Sequence, residues 1–148
     1  MSKINDYARF VETTTSDLSK NTLELSSRIL RLEGNTSHMT TSSGETIREA
    51  EIHMATLLTS VVGMLAESGE FAEVVKKKVF QADTKFSDEE IFHMKRELGD
   101  VLWYWIQGCV SLGFTPEEVI QENINKLEKR YPNGFEVARS EHRVEGDI

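Results

Sequence analysis

Apolar residues recur along the chain at the three- and four-residue steps of an amphipathic helix, and no segment alternates convincingly like a half-buried strand. The longest series predicts a helix over about residues 45–79. Its glycines at positions 63 and 69 lower helix propensity, but they let a neighbouring helix or a ligand come close. The apolar stripe consists of Ile47, Met54, Leu58, Val61, Leu65, Ala72 and Val75.

Two shorter helices are predicted before this one, over residues 4–12 and 17–33. The stretch 34–44 is rich in Ser, Thr and Gly, so we expect an exposed connection there.

Two capping boxes predict where the later helices begin. Ser87-Asp88-Glu89-Glu90 starts a fourth helix that ends at Gly113, and Thr115-Pro116-Glu117-Glu118 starts a fifth that ends before residue 131. The residues after about 135 are polar and predict an extended tail.

These elements predict an all-α fold, a bundle of about four to five helices whose core is completed by oligomerisation. We expect an N-terminal helical extension and Ser/Thr-rich loop over residues 1–44, a functional core over 45–135 and a C-terminal tail over 136–148.

The composition excludes several classes of function. The 148 residues carry a formal net charge of −8, which argues against binding polymeric nucleic acid. Cys109 is the single cysteine, so an internal disulfide and a cysteine-based zinc site are excluded. The chain has neither an apolar run of about 18 residues nor a signal-peptide core, so we expect no membrane partner and a cytoplasmic location.

Two pairs of carboxylates stand out because each lies beside an apolar stretch. Glu67 and Glu70 are three residues apart and share one helix face, and Glu97 and Asp100 repeat that spacing on the next helix. Carboxylates between two helices are costly unless a cation neutralises them, and oxygen ligands suit Mg²⁺ or Mn²⁺. The alternative is that they pair with lysines on a solvated surface.

Two further side chains lie on the carboxylate faces. Lys77 is two turns after Glu70, although it is equally an i,i+4 partner for Glu73 or part of a solvated lysine run. Tyr104 is four residues after Asp100, so it lies on the carboxylate face and its hydroxyl can hydrogen-bond a bound ligand. Glu73 is either an auxiliary ligand or the partner of Lys77.

A di-iron carboxylate bundle is a competing class of enzyme. It needs two Glu-x-x-His motifs, and the chain offers one, Glu90-x-x-His93, in which Glu90 has a capping role. We also leave His53 out of the metal ligands, because a single histidine on a helix is more often packed or exposed.

The motifs resemble a known enzyme family. The patterns G-x-x-x-E-x-G-E-F-x-E over residues 63–73 and K-R-E-L-G-D-V-L-W-Y over 95–104 are similar to those of the MazG-type nucleotide pyrophosphohydrolases of the all-α NTP pyrophosphatase superfamily. The segment E-N-I-N-K-L-E-K-R-Y-P-N-G-F over 122–135 resembles the family's closing segment. In detail, the sequence is most similar to the short phage-encoded members of the family.

This resemblance implies Mg²⁺-dependent hydrolysis of a (deoxy)nucleoside triphosphate to the monophosphate and pyrophosphate, which would control nucleotide pools. It implies that Glu67, Glu70, Glu97 and Asp100 are metal ligands and catalytic residues, with Mn²⁺ as a substitute for Mg²⁺. Glu70 or Glu67 is expected to act as the base.

The resemblance also implies a phosphate-binding face at Asn123, Lys126 and Arg130, and the host cytoplasm as location if the chain is phage-encoded. The size of the bundle and the broad apolar face over residues 101–105 predict a homodimer or homotetramer. The alternative is a non-catalytic nucleotide-binding or helical oligomerisation domain.

Overall fold

Helices dominate the chain, with one β-hairpin between them. The structure is a computed structural model that describes residues 3–34, 36–40, 46–82 and 84–141. It divides the chain into two units, Met1–Ala55 and Thr56–Ile148. Within the described residues, no helix is both long and apolar enough to cross a membrane.

The first unit holds three helices and the hairpin. The elements are α1 (Lys3–Thr14), α2 (Asp17–Lys20), α3 (Thr22–Leu32), β1 (Thr36–Thr40) and β2 (Thr46–Glu51).

The helix predicted over residues 17–33 is interrupted at Asn21. This residue is extended (φ −123°), and its side chain accepts a hydrogen bond from the backbone N–H of Glu24. Asn21 therefore ends α2 and caps α3, a competition with helical hydrogen bonding that is typical of asparagine.

The predicted helix start at about residue 45 is wrong. Residues Thr46–Glu51 form β2, which pairs antiparallel with β1 from Thr36↔Glu51 to Thr40↔Thr46. The exposed connection predicted over 34–44 is correspondingly wrong where β1 lies, and residues 35 and 41–44 of it lie outside the described residues. Both strands are mostly polar, so no apolar alternation marked them, and backbone pairing decided their conformation.

The base of the hairpin is closed by backbone hydrogen bonding. The N–H of Gly34 donates to the carbonyl of Ile52 over 2.9 Å, with Gly34 in the left-handed region (φ 71°). The carboxylate of Glu33 then accepts the N–H of Met54 over 2.6 Å, and this residue begins the next helix.

The second unit consists of the long helices. They are α4 (Met54–Phe80, which starts in the last residues of the first unit), α5 (Asp88–Ser111), α6 (Pro116–Arg130) and the short α7 (Val137–Glu141).

Both predicted capping boxes of this unit are formed. Ser87 and Glu90 cap the start of α5, and Thr115 and Glu118 cap the start of α6. Gly113 follows α5 with φ 77°, the left-handed conformation expected there.

The extended tail is wrong where α7 lies. The Glu136 carboxylate accepts a hydrogen bond from Arg139 over 3.0 Å, and its carbonyl accepts the N–H of Ser140 over 3.2 Å. These local bonds close a helical turn, while residues 142–148 of the predicted tail lie outside the described residues.

Helices α4 and α5 approach each other closely where a glycine of one helix faces a side chain of the other. A Cβ on Gly63 would lie 2.3 Å from Cε1 of Tyr104, and a Cβ on Gly108 would lie 3.3 Å from Oγ of Ser60. Nothing lies within 4 Å of the corresponding point on Gly69 or Gly99. The close approach expected at Gly63 is thus confirmed, whereas at Gly69 the position is open.

The apolar core of the second unit is thin. Among the described residues, Cys109 is the only buried hydrophobic one, and Ser60, Ser111 and Glu97 are buried with it. The hydroxyl of each serine donates a hydrogen bond to a backbone carbonyl one turn earlier. Ser60 donates to Leu57, and Ser111 donates to Gly108. The bundle is all-α, as predicted, but a single copy leaves most of its apolar stripes exposed.

Candidate metal centre

The predicted carboxylates of α4 and α5 converge. One oxygen each from Glu67, Glu97 and Asp100 lies within 4.8 Å of the other two. A second group, Glu70, His93 and Glu97, meets the same distance limit. The structure therefore brings all four predicted carboxylates to one place, as two triads that share Glu97.

Glu97 is the buried centre of this cluster. It is only 6 % exposed, whereas Glu70 and Asp100 are exposed and Glu67 is intermediate. An ionised carboxylate so far from water is stable only with compensating charge or hydrogen bonds.

The pKa of Glu67 indicates that negative charge in the cluster is not balanced by positive charge. Partial burial raises the pKa of Glu67, and a hydrogen bond with Glu97 together with the negative charges of Glu70, Glu97 and Asp100 raises it further. A divalent cation would neutralise the negative charges that contribute to this rise in the pKa of Glu67. The donor set, mainly carboxylate oxygens from two rigid helices, fits a hard cation such as Mg²⁺ or Mn²⁺.

His93 belongs to the cluster although it was not predicted there. Its Nδ1 lies 3.0 Å from Oε1 of Glu97, one turn along α5. The available signal was spacing, because His93, Glu97 and Asp100 stand at i, i+4 and i+7 and so share one face.

Glu90, which the di-iron motif would need, is engaged elsewhere. Its carboxylate accepts the N–H of Ser87 over 2.7 Å and lies 2.8 Å from Nζ of Lys78. The lysine and the Ser87 bond lower the pKa of Glu90, so it is held as a charged cap.

Lys77, the basic residue on α4 that was predicted to bind substrate, forms an ion pair with a glutamate of the same helix. Nζ of Lys77 lies 3.1 Å from Oε1 of Glu73, and this bond lowers the pKa of Glu73. Both side chains are exposed, so the pair fits the alternative of a surface ion pair. A role for Lys77 in binding substrate stays a prediction.

The predicted phosphate-binding residues lie on α6. Asn123 and Lys126 are exposed and Arg130 is half-buried, with its guanidinium 5.9 Å from the ring centre of Tyr131. Their contact with a substrate also stays a prediction.

Tyr104 has a structural role that its spacing alone did not reveal. Its ring covers Gly63 of α4 and meets the Trp103 ring edge to face at 4.8 Å between centroids. Because Tyr104 is one turn after Asp100, this contact fixes the separation of α4 and α5 beside the carboxylates. Its predicted bond to substrate is not tested by this contact.

Comparison with known protein families decides what the cluster belongs to. Residues 55–135 match the model of the MazG nucleotide pyrophosphohydrolase domain, which is more than half of the chain. The chain belongs to this family. The match includes both triads and the whole of α6, and divalent metals are general among MazG-type pyrophosphohydrolases.

A phage protein is similar to part of the chain. The Gene 37 protein of Mycobacterium phage L5 is 37 % identical over 73 residues, which cover 49 % of this chain and 64 % of the phage protein. The alignment thus spans less than two thirds of that relative. No solved structure matches the chain.

Proposed function

We propose that this MazG family member hydrolyses (deoxy)nucleoside triphosphates to the monophosphate and pyrophosphate, with Mg²⁺ held by Glu67, Glu70, Glu97 and Asp100. The observation that carries the proposal is the convergence of these carboxylates, from two helices, around the buried Glu97. Buried negative charge of this kind costs the fold stability unless a cation or hydrogen bonds compensate it.

The reaction is displacement at the α-phosphorus. A water oxygen forms the new bond, the bond from the α-phosphorus to the α,β-bridging oxygen breaks, and pyrophosphate leaves. Glu70 or Glu67 accepts the proton of the attacking water. A bound cation would offset negative charge on the phosphate oxygens and would lower the pKa of the attacking water.

The remaining predicted residues complete the proposal. Asn123, Lys126 and Arg130 share a face of α6 and offer an amide and two cations to the phosphate chain. Lys77 offers a further cation once it leaves Glu73, and the Tyr104 hydroxyl offers a hydrogen bond to phosphate or sugar.

The decisive experiment is pyrophosphate release from a panel of the eight common NTPs and dNTPs. We expect release with Mg²⁺, a lower or similar rate with Mn²⁺, and none with excess EDTA. Nucleotide binding without any release from the panel would support the non-catalytic nucleotide-binding alternative instead.

A matched pair of variants tests the site itself. Glu70→Gln is expected to lower the rate by about 100-fold or more, since a general base or its equivalent is removed. Glu73→Gln changes charge equally, one turn along the same helix, but removes only the pair with Lys77. Equal rates for the two variants would contradict the assignment of Glu70.

We further propose that the active form is a homodimer or homotetramer. The side chains of Val62, Leu65, Leu98, Leu102 and Trp103 on α4 and α5 are all more than half exposed in one copy. Given the thin core of the second unit, a second copy is the partner that these apolar surfaces fit. The similarity to a phage protein favours action on nucleotide pools in a host cytoplasm.

A further inference from the structure

His93 adds a different kind of donor to a cluster of oxygens. The triad of Glu70, His93 and Glu97 contains an imidazole, whereas the triad of Glu67, Glu97 and Asp100 contains carboxylates alone. The side chain of His93 is about half exposed, so hydrophobic packing does not account for its place beside Glu97.

The distances suit ligation as well as hydrogen bonding. Ligands about 2.1 Å from a metal and at right angles to each other lie about 3.0 Å apart. His93 Nδ1 and Glu97 Oε1 are 3.0 Å apart. This distance would suit two adjacent ligands of one ion.

The shared residue allows two cation positions. A carboxylate has two oxygens, so Glu97 can contribute one to each triad. Two-metal sites in phosphoryl-transfer enzymes have their ions about 3.5–4 Å apart, a separation that one bridging carboxylate spans.

We propose that His93 is a metal ligand, and that Glu70, His93 and Glu97 form a mixed nitrogen–oxygen position adjoining the all-oxygen position of Glu67, Glu97 and Asp100. This inference rests on the proposed function only in taking the cluster to hold divalent cations. Imidazole binds first-row transition ions more tightly than it binds Mg²⁺. The mixed position consequently favours ions such as Mn²⁺ or Co²⁺, whereas Mg²⁺ in either position is held by the carboxylate oxygens.

The test measures metal binding by the full chain without nucleotide. Co²⁺ and Mg²⁺ are titrated separately by calorimetry, and the visible absorption of bound Co²⁺ is recorded. The variants are His93→Ala and His93→Gln, with His53→Ala as control because His53 also lies near a carboxylate, that of Glu33 at 3.6 Å. Circular dichroism checks that helix content is kept.

We expect both His93 variants to weaken Co²⁺ binding by about 10-fold or more and to shift its absorption bands. Mg²⁺ binding should change by less than about 3-fold, and His53→Ala should match the parent. Equal weakening of both ions with rescue by His93→Gln, whose amide can donate to Glu97, would show that His93 only positions Glu97. That result, or unchanged Co²⁺ binding and spectrum, would overturn the proposal.

The hydrolysis assay keeps this inference separate from the proposed function. If the parent chain binds Co²⁺ through His93 but releases no pyrophosphate from any nucleotide, the hydrolase proposal fails and the ligand assignment stands. If it releases pyrophosphate but His93→Ala binds Co²⁺ normally, the ligand assignment fails alone.

Discussion

Replacing Gly63 by alanine tests whether the contact with Tyr104 sets the spacing of α4 and α5. An ideal Cβ at this position would lie 2.3 to 2.5 Å from three carbons of the Tyr104 ring. Carbon atoms that are not bonded normally stay about 3.5–4.0 Å apart. The ring or the helix must therefore move by more than about 1 Å to admit one methyl group.

Two opposing terms decide the size of the effect. Overpacking of this kind typically costs about 1–3 kcal/mol, and a displacement of this size lies in the upper part of that range. Replacing a mid-helix glycine by alanine returns about 1 kcal/mol through helix propensity. The net expectation is a loss of about 1–2 kcal/mol in the free energy of unfolding, or about 3–6 °C in melting temperature.

The chain offers a control on the same helix. Gly69 has nothing within 4 Å of the point where a Cβ would lie, so Gly69→Ala should gain about 1 kcal/mol. The assay is thermal and urea unfolding of both variants at one protomer concentration, with EDTA present so that metal binding does not contribute. Equal stability of Gly63→Ala and Gly69→Ala would refute the contact.

Three further predictions concern the metal, the cluster and self-association. Mg²⁺ at 100 times its Kd should raise the melting temperature by about 8 °C, equivalent to about 2.7 kcal/mol, and EDTA should reverse this rise; no shift would contradict a folded cation site. In EDTA, Glu67→Gln should be more stable than the parent at pH 7, because the raised pKa of Glu67 makes its ionisation cost stability as pH rises above about 4.5. That advantage should shrink as pH falls below about 4.5, because Glu67 then becomes protonated in the unfolded chain as well; an equal difference in urea unfolding at pH 7 and at about pH 3 would count against it. Leu65→Asp should shift the chain toward monomer in sedimentation equilibrium, whereas Leu23→Asp, at a leucine of the first unit that is even more exposed, should not; an unchanged mass for Leu65→Asp would place the interface elsewhere.

The sequence predicted the second unit better than the first, and the reason is physical. Helices α5 and α6 have capping boxes, in which Ser87 and Thr115 define the first turn through local hydrogen bonds. Hydrogen bonds between residues that are close in sequence can be predicted from a single sequence. The hairpin of β1 and β2 depends instead on pairing between two polar segments, so nothing within either segment distinguished it from a loop or a helix start.

The site shows the same division between spacing and contact. Spacing placed Glu67 with Glu70, and Glu97 with Asp100, because residues three apart share a helix face. It did not reveal that Glu97 is the buried member of both triads, since that depends on how α4 packs on α5. His93 was missed for another reason: it was judged by its relation to Glu90, when its partner is Glu97.

The carboxylate cluster accounts for much of the chain's net negative charge. Four of the 25 acidic residues lie in the cluster and account for half of the net charge of −8. Partial burial, the hydrogen bond with Glu97 and the negative charges of the other cluster carboxylates raise the pKa of Glu67, so its ionisation costs the fold stability at neutral pH. A cation removes that cost and presents a site that a polyanion can approach. The negative charge that argues against polymeric nucleic acid as a partner is therefore, on this proposal, what allows the chain to bind a metal and through it a triphosphate.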